Sequence, residues 1–521
     1  MFVAVLVAAL AATAVWSSDD EGAAPGPGAV VAGADGTTTH EASSTEASGA
    51  ANVATTVAAT TTLPATTVPA PLPPYEGWVN PASSGRPWGE TVTGMLTFRG
   101  NPTRSWYGVG PVPRAEPQVL WRFPESGGLC HESSNRGETK VWCGTGWTGQ
   151  PNIWERPDGS TWMAFGSYAA AFHFLDPATG QRLLPDLETG DINKGSATVD
   201  PDGFPLYYAG SRDNKLRVIA LDRGEPEVLW SLAHDALGPI MWNSDWDGAP
   251  LVLGDYLFEG GENSRFYIVK LNRGYGADGL VTVNPEVVFH AAGWDDELLG
   301  AIGDNEVSIE SSVTISGNVV YFANSGGLVQ GWDISGLTSG QEPQRVFRYW
   351  MGDDVDATIA ADAEGFLYIG AEVQRFTGRT DDVGGTFVKL DPRNPDNPLV
   401  WSWAGGTDEG AGIWSSAAIV GDVVITSTND GRVVALDRAT GGEVWQLQIG
   451  GQAWPSPVVV DGVMLVGDCD GYLYAYDVAD PRATPGLLWT KKFDGCLEAT
   501  PTVWKGRIYL GSRDVGFYAL G

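Results

Sequence analysis

Residues 414–445 read WSSAAIVGDVVITSTNDGRVVALDRATGGEVW. Ser416 to Val420 is a run of small and β-branched residues, and Gly421-Asp422 after it is a turn. Val423 to Ser427 is a second run, and Asn429-Asp430-Gly431 is a hairpin signal. Val433 to Asp437 makes a third, Ala439-Thr440-Gly441 turns again, and Glu443-Val444-Trp445 opens a fourth. Four short antiparallel strands in succession are one blade of a β-propeller. The next stretch repeats the plan through Pro457 to Val460, Val463 to Gly467, Tyr472 to Asp477 and Leu487-Leu488-Trp489. Trp445 and Trp489 lie 44 positions apart, a usual blade repeat.

Working outward, five further units carry insertions. They are marked by Phe165-Gly166-Ser167 with Leu175-Asp176, by Ala209-Gly210-Ser211 with Val228-Leu229-Trp230, and by Leu257 to Gly261 with Val287-Val288-Phe289. Tyr321 to Asn324 with Gly331-Trp332-Asp333, and Leu367 to Gly370 with Leu399-Val400-Trp401, mark the other two. The last unit has three strands only, ending at Phe517 to Leu520. Its missing outer strand is found at Val119 to Phe123. The chain therefore reads as an all-β, eight-bladed β-propeller of four-stranded antiparallel blades, closed by pairing its N- and C-terminal segments. The outer-strand Trp is expected to cover the neighbouring blade, and the Asp closing each third strand to accept turn hydrogen bonds.

Composition bounds the rest. Lys and Arg number 31 against 64 Asp and Glu, a net charge of −33. Such a surface repels phosphate backbones, which excludes nucleic acid as the expected partner. Residues 1–16 are apolar and read as a signal peptide or a membrane anchor. Residues 17–74 are rich in Ala, Thr, Ser and Pro and read as a disordered stalk. The propeller is expected over 75–521, monomeric and outside the cytoplasm, either secreted or tethered at the cell surface. An even count of four Cys in an exported chain points to two disulfides. Zinc is the rival reading, but no Cys-x-x-Cys pair is present and only His131 adjoins a Cys.

The pattern Ala-Leu-Asp-x-Ala-Thr-Gly-x-x-x-Trp at Ala435 to Trp445 resembles the PQQ-like (quinoprotein-type) propeller repeat, as does the leading segment Phe98 to Arg104. That family includes quinoprotein dehydrogenases and an outer-membrane assembly propeller that binds no quinone. The fold therefore does not choose the function. The dehydrogenases commonly clamp pyrroloquinoline quinone (PQQ) between a Trp and a disulfide of two adjacent Cys, with Ca²⁺ held by Glu, Asn and Asp. No two Cys are adjacent here.

Aligning the eight first strands places Thr148, Lys194, Trp246, Glu310, Asp356, Trp414, Trp454 and Glu498 at one opening position. These side chains are expected to ring one mouth of the channel as an aromatic, acidic funnel. Trp offers flat stacking surfaces, and Glu310, Asp356 and Glu498 are candidate calcium ligands. The plainer reading is a polar, solvated channel wall. The alternation of strand direction puts second-to-third hairpins and blade-to-blade crossings on one face. It pairs Cys469 with Cys496 and Cys130 with Cys143. Two functions follow: a non-catalytic extracytoplasmic binding or assembly module for a protein or small ligand, and a PQQ- and calcium-dependent dehydrogenase of small alcohols or sugars.

Overall fold

The computed structural model describes residues 71–521 apart from 136, 148, 239, 376 and 407–409. The expected leader at 1–16, almost all of the expected stalk and Thr148 lie outside the described residues. Among the described residues no helix is long and apolar enough to cross a membrane.

Eight sheets succeed one another along the chain, which makes the eight blades. The one read first from sequence, blade 6, consists of Ala418–Val420, Val423–Ser427, Arg432–Asp437 and Glu443–Gln448, all antiparallel. Blade 8 consists of Thr502–Trp504, Arg507–Gly511 and Phe517–Leu520, and Val119–Phe123 completes it on the outside with Phe123 opposite Phe517. Gln118 and Gly521 exchange backbone hydrogen bonds of 3.1 Å just beyond that pairing. The ring is thus latched as the sequence indicates.

The recurring Trp and Gly hold neighbouring blades together. The Trp401 indole donates to the Arg438 carbonyl, Trp445 to Pro481 and Trp121 to Pro177, each in the turn of the following blade. Gly441 and Gly180 both have φ of 73°, and a Cβ on either would lie 2.7 Å from the Trp ring that covers it. Only glycine satisfies both the dihedral and the close approach. In each turn an Asp carboxylate accepts the local donors, as Asp437 does from Ala439 and Thr440.

The channel is not open through its length. Residues 94–109 run into it and serve its exposed strand edges. Gly94–Met95 pairs with the innermost strand of blade 1, and Gly108–Val109 runs parallel to the innermost strand of blade 8. Between them Arg99 and Arg104 are fully buried. Arg99 donates to the carbonyls of Ala417 (2.8 Å) and Pro457 (3.1 Å), and Arg104 to those of Ala249 (2.9 Å) and Val313 (2.8 Å). The Leu96, Pro102 and Thr103 carbonyls accept from Val199, Ile315 and Ala361. An unpaired inner edge would leave buried backbone groups unsatisfied. Here a plug segment supplies the partners. Burial pulls the Arg104 guanidinium down to about 9, with Glu259 opposing.

Candidate functional site

A belt of hydroxyls fixes the level of the mouth. The Ser312 amide donates to Thr358, Thr358 to Ser416, Ser416 to Ser456 and Ser456 to Thr500, each across a blade boundary. Gln150 donates likewise to Ser196, and Ala249 to Ser312. Each hydroxyl lies two residues after an aligned opening position, so Lys194, Glu310, Asp356, Trp414, Trp454 and Glu498 stand at one level above the belt. The plug lies beyond the belt on the other side, bonded to Ala417 and Pro457.

The aromatic side of the mouth is continuous. Trp414 and Trp454 have ring centroids 4.4 Å apart, and Trp147 lies 5.0 Å from Trp414. Such pairs contribute about 0.5–1.5 kcal/mol beyond area burial. The Trp414 and Trp454 indole nitrogens have no hydrogen-bond partner among the described residues. Trp246 is 1% exposed and packs on Tyr267, so it is wall and offers no free face.

Lys194 is already enclosed. Its Nζ lies 2.8 Å from Asp247, 3.3 Å from Glu262 and 3.5 Å from Asp245, and 4.4 Å from the Trp147 ring. Burial alone would lower its pKa, but Asp247 and Glu262 outweigh that and hold it well above the usual value. Asp245, Asp247 and Glu262 are close enough together to grip one ion. The lysine ammonium fills that position.

The side at blades 4 and 5 is acidic. Asp356 lies near Asp354, Glu310 and Glu372; burial, reinforced by all three, holds its carboxyl well above the ordinary range. Asp354 and Glu372 are raised too, burial first, with the Arg375 guanidinium opposing at Asp354 and hydrogen bonds from Gln374 and Asn429 opposing at Glu372. Both Asp356 oxygens, one of Asp354, one of Glu372 and the amide oxygen of Asn429 are buried without a hydrogen-bond partner among the described residues. Glu310 accepts from Ser308 at 2.6 Å and from Ser325 at 3.2 Å. Glu498 is elsewhere: Arg513 grips it at 2.8 and 3.0 Å. Glu310 and Asp356 therefore come together, while Glu498 is engaged with its own cation.

A second ring went unread in the sequence. The residue just past the Gly/Ser-type end of each second strand is Tyr168, Arg212, Glu262, Ser325, Glu372, Asn429, Cys469 or Arg513. Several of these face the first ring: Arg513 meets Glu498, Ser325 meets Glu310 and Glu262 meets Lys194. The signal was present in Gly260-Gly261-Glu262 and Gly370-Ala371-Glu372, where an acid follows two small residues at a strand end. Cys469 of this ring is bonded to Cys496, two residues before Glu498, and Cys130 to Cys143. Both pairings are those expected, and among the described residues no Cys is free.

Eight four-stranded blades with a plugged channel and a charged mouth define a β-propeller. Residues 384–484 match the family described as outer membrane protein assembly factor BamB. Among curated proteins, the quinoprotein alcohol dehydrogenase PedE of Pseudomonas putida is 26% identical over 381 residues, covering 66% of this chain and 55% of the relative. The chain thus spans about half the length of that relative. A solved structure of the computationally designed Ika8 protein superposes with a TM-score of 0.51 at 15% identity, over 77% of this chain and 99% of that one, and bears on fold alone. The repeats are of the PQQ-like type. The mouth does not fit PQQ itself, which carries three carboxylates. Its cations Lys194 and Arg513 are already paired, no vicinal disulfide is present, and the open side is lined by Asp354, Asp356 and Glu372. The carboxylates on that side are oxygen ligands of the kind a hard cation takes, although among the described residues only Asp245, Asp247 and Glu262 stand close enough together to grip one ion.

Proposed function

We propose that the chain is an extracytoplasmic binding propeller that takes its ligand at the mouth, with a divalent cation such as Ca²⁺ held on the side of Asp354, Asp356 and Glu372. One observation carries the reading: buried carboxylate oxygens of all three residues, and the Asn429 amide oxygen, have no hydrogen-bond partner among the described residues. Buried polar atoms are ordinarily satisfied, and an orphaned acceptor cluster is matched by a cation. Trp414 and Trp454 would then face the ligand that the cation recruits. The two disulfides suit an oxidising compartment. The assembly-factor name of the matched family supports a role in holding a partner.

Calorimetry with CaCl₂ on chelator-treated protein tests this. Binding is expected, with a change in Trp fluorescence, and Asp356→Asn combined with Glu372→Gln should abolish both. A folded protein that gives neither heat nor thermal shift with Ca²⁺ overturns it. The second reading, a PQQ- and calcium-dependent dehydrogenase of small alcohols or sugars, is favoured by the name of the curated relative. Dye-linked alcohol oxidation on adding PQQ with Ca²⁺ would establish it, against the charge of the mouth.

A further inference from the structure

One crossing of the ring is braced covalently. Only the crossing from blade 8 into blade 1 carries a disulfide-closed hairpin, Cys130–Asn135 with Glu138–Cys143, in which Cys130 stands directly opposite Cys143. Its tip brings Ser134 and Asn135 over a cleft of about 470 Å³. That size lies within the range of small-molecule sites, about 300–1,000 Å³. The other walls come from the second-to-third hairpin of blade 2, with Arg212, Asp213 and Asn214, and from the crossing into blade 3, with Asn243 and Asp245. The side chains that line it are all polar; no apolar platform is among them.

Three polar atoms of these walls are unspent. Arg212 is 6% exposed, and its Nε holds Asp245 at 2.5 Å, but its Nη2 has no partner among the described residues. Asp245 Oδ1 and Asp213 Oδ1 are also without one. Asp213 is fixed through its other oxygen, which accepts from the Gly190 amide at 2.9 Å and from Arg217. Asn214, whose backbone is left-handed at φ 72°, also lines the cleft.

We propose that this cleft binds a neutral polyhydroxylated ligand, of the saccharide class. The chemistry selects it. An anion would satisfy Arg212 but meet Asp191, Asp213 and Asp245, and Arg212 is already neutralised by Asp245. A cation would satisfy the aspartates but leave the guanidinium nitrogen orphaned. A hydroxyl both accepts and donates, so adjacent hydroxyls can take a bond from Arg212 and give bonds to Asp213 or Asp245. Planar Asn and Asp side chains with a fixed Arg supply the directional bonds that distinguish one polyol from another, and losing such a partner is costly. The hairpin disulfide holds one wall in place before the ligand arrives. The cleft shares Arg212 and Asp245 with the mouth, but none of Asp354, Asp356 and Glu372, on which the cation reading rests, lines it.

The test is calorimetry, or saturation-transfer NMR, with glucose, mannose, galactose, N-acetylglucosamine and their disaccharides in the presence of EDTA. Binding of at least one is expected, unaffected by EDTA. Arg212→Lys, which keeps a charge beside Asp245 but removes Nη2, should weaken it by about tenfold or more. Asn214→Gly, which keeps the backbone conformation, should weaken it similarly if Arg212→Lys fails to fold. Asp356→Asn should leave it unchanged. No binding of any of these sugars at about 10 mM by folded protein overturns the proposal, as does unchanged affinity in Asn214→Gly and in any folded Arg212→Lys. Binding that EDTA abolishes assigns the sugars to the mouth and also overturns it.

Discussion

The two sides of the hydroxyl belt bury charge in opposite ways. On the plug side, Arg99 and Arg104 are wholly enclosed, yet each donates to several carbonyls and no nitrogen of either is left without a partner. On the mouth side, Asp354 and Glu372 are almost as enclosed and Asp356 less so, and all three keep oxygens without a hydrogen-bond partner among the described residues. The plug arginines complete the fold: they spend their hydrogen bonds on strand edges that would otherwise be bare. Burial first, and then their mutual repulsion, raise the pKa of the mouth carboxylates, although Arg375 opposes this at Asp354 and Asn429 donates to Glu372. Saturated charge marks structure here, and the unsaturated charge is what the proposed cation site rests on.

The contrast can be broken most severely at the plug. Arg104→Met should cost about 3–5 kcal/mol, because it leaves the Ala249, Val313 and Phe98 carbonyls buried and unmatched. Chemical denaturation measures it, and a loss below about 1 kcal/mol would make the plug incidental. Next in size is the Cys469–Cys496 bond, whose ends are 27 residues apart. Replacing both with Ser should lower stability by about 3 kcal/mol and loosen the mouth beside Glu498.

The mouth should respond with the opposite sign. At about pH 8, without Ca²⁺, Asp356→Asn with Glu372→Gln is expected to raise stability by about 1–3 kcal/mol, since an unmatched buried carboxylate is removed. The pH dependence follows from the direction of the shifts. Carboxyls raised in the folded state favour folding fully below their ordinary unfolded values, and that contribution is lost as pH rises through the elevated ones. Cation-free protein should therefore melt lower as pH climbs above the ordinary carboxylate range, and added Ca²⁺ should restore more at the upper end of the scale. A melting temperature flat with pH in both wild type and the double variant would erase the difference between the two ends. The smallest effect belongs to the belt that divides them: Ser456→Ala removes the acceptor for the Ser416 amide and should cost about 1 kcal/mol in thermal unfolding.

The blades were legible because each repeats a local instruction. Asn429-Asp430-Gly431 is a hairpin signal in its own right, and Trp401 needs only the next blade's turn at Gly441 to cover. Ring closure was legible as a strand missing at one end and spare at the other. The opening positions could be aligned because the hydroxyl two residues on recurs, at Ser416, Ser456 and Thr500 among others. The plug was not legible. Phe98 to Arg104 has no strand period, and Arg is ordinarily an exposed residue, so nothing local shows that Arg99 and Arg104 would serve four different blades. The second ring was missed because Glu262, Glu372 and Asn429 end strands whose earlier residues draw the eye as core.

The latch also sets an order of events in time. Residues 94–109 and 119–123 leave the ribosome before any of the strands they will serve in blades 2 to 8. The closing strand must therefore wait, unpaired, until Phe517–Leu520 has been made, while the plug gains its partners blade by blade. Contacts this distant along the chain are slow to form, and an unlatched ring presents bare strand edges meanwhile. The net charge of −33 then acts during maturation, keeping half-built rings apart until the late partner arrives.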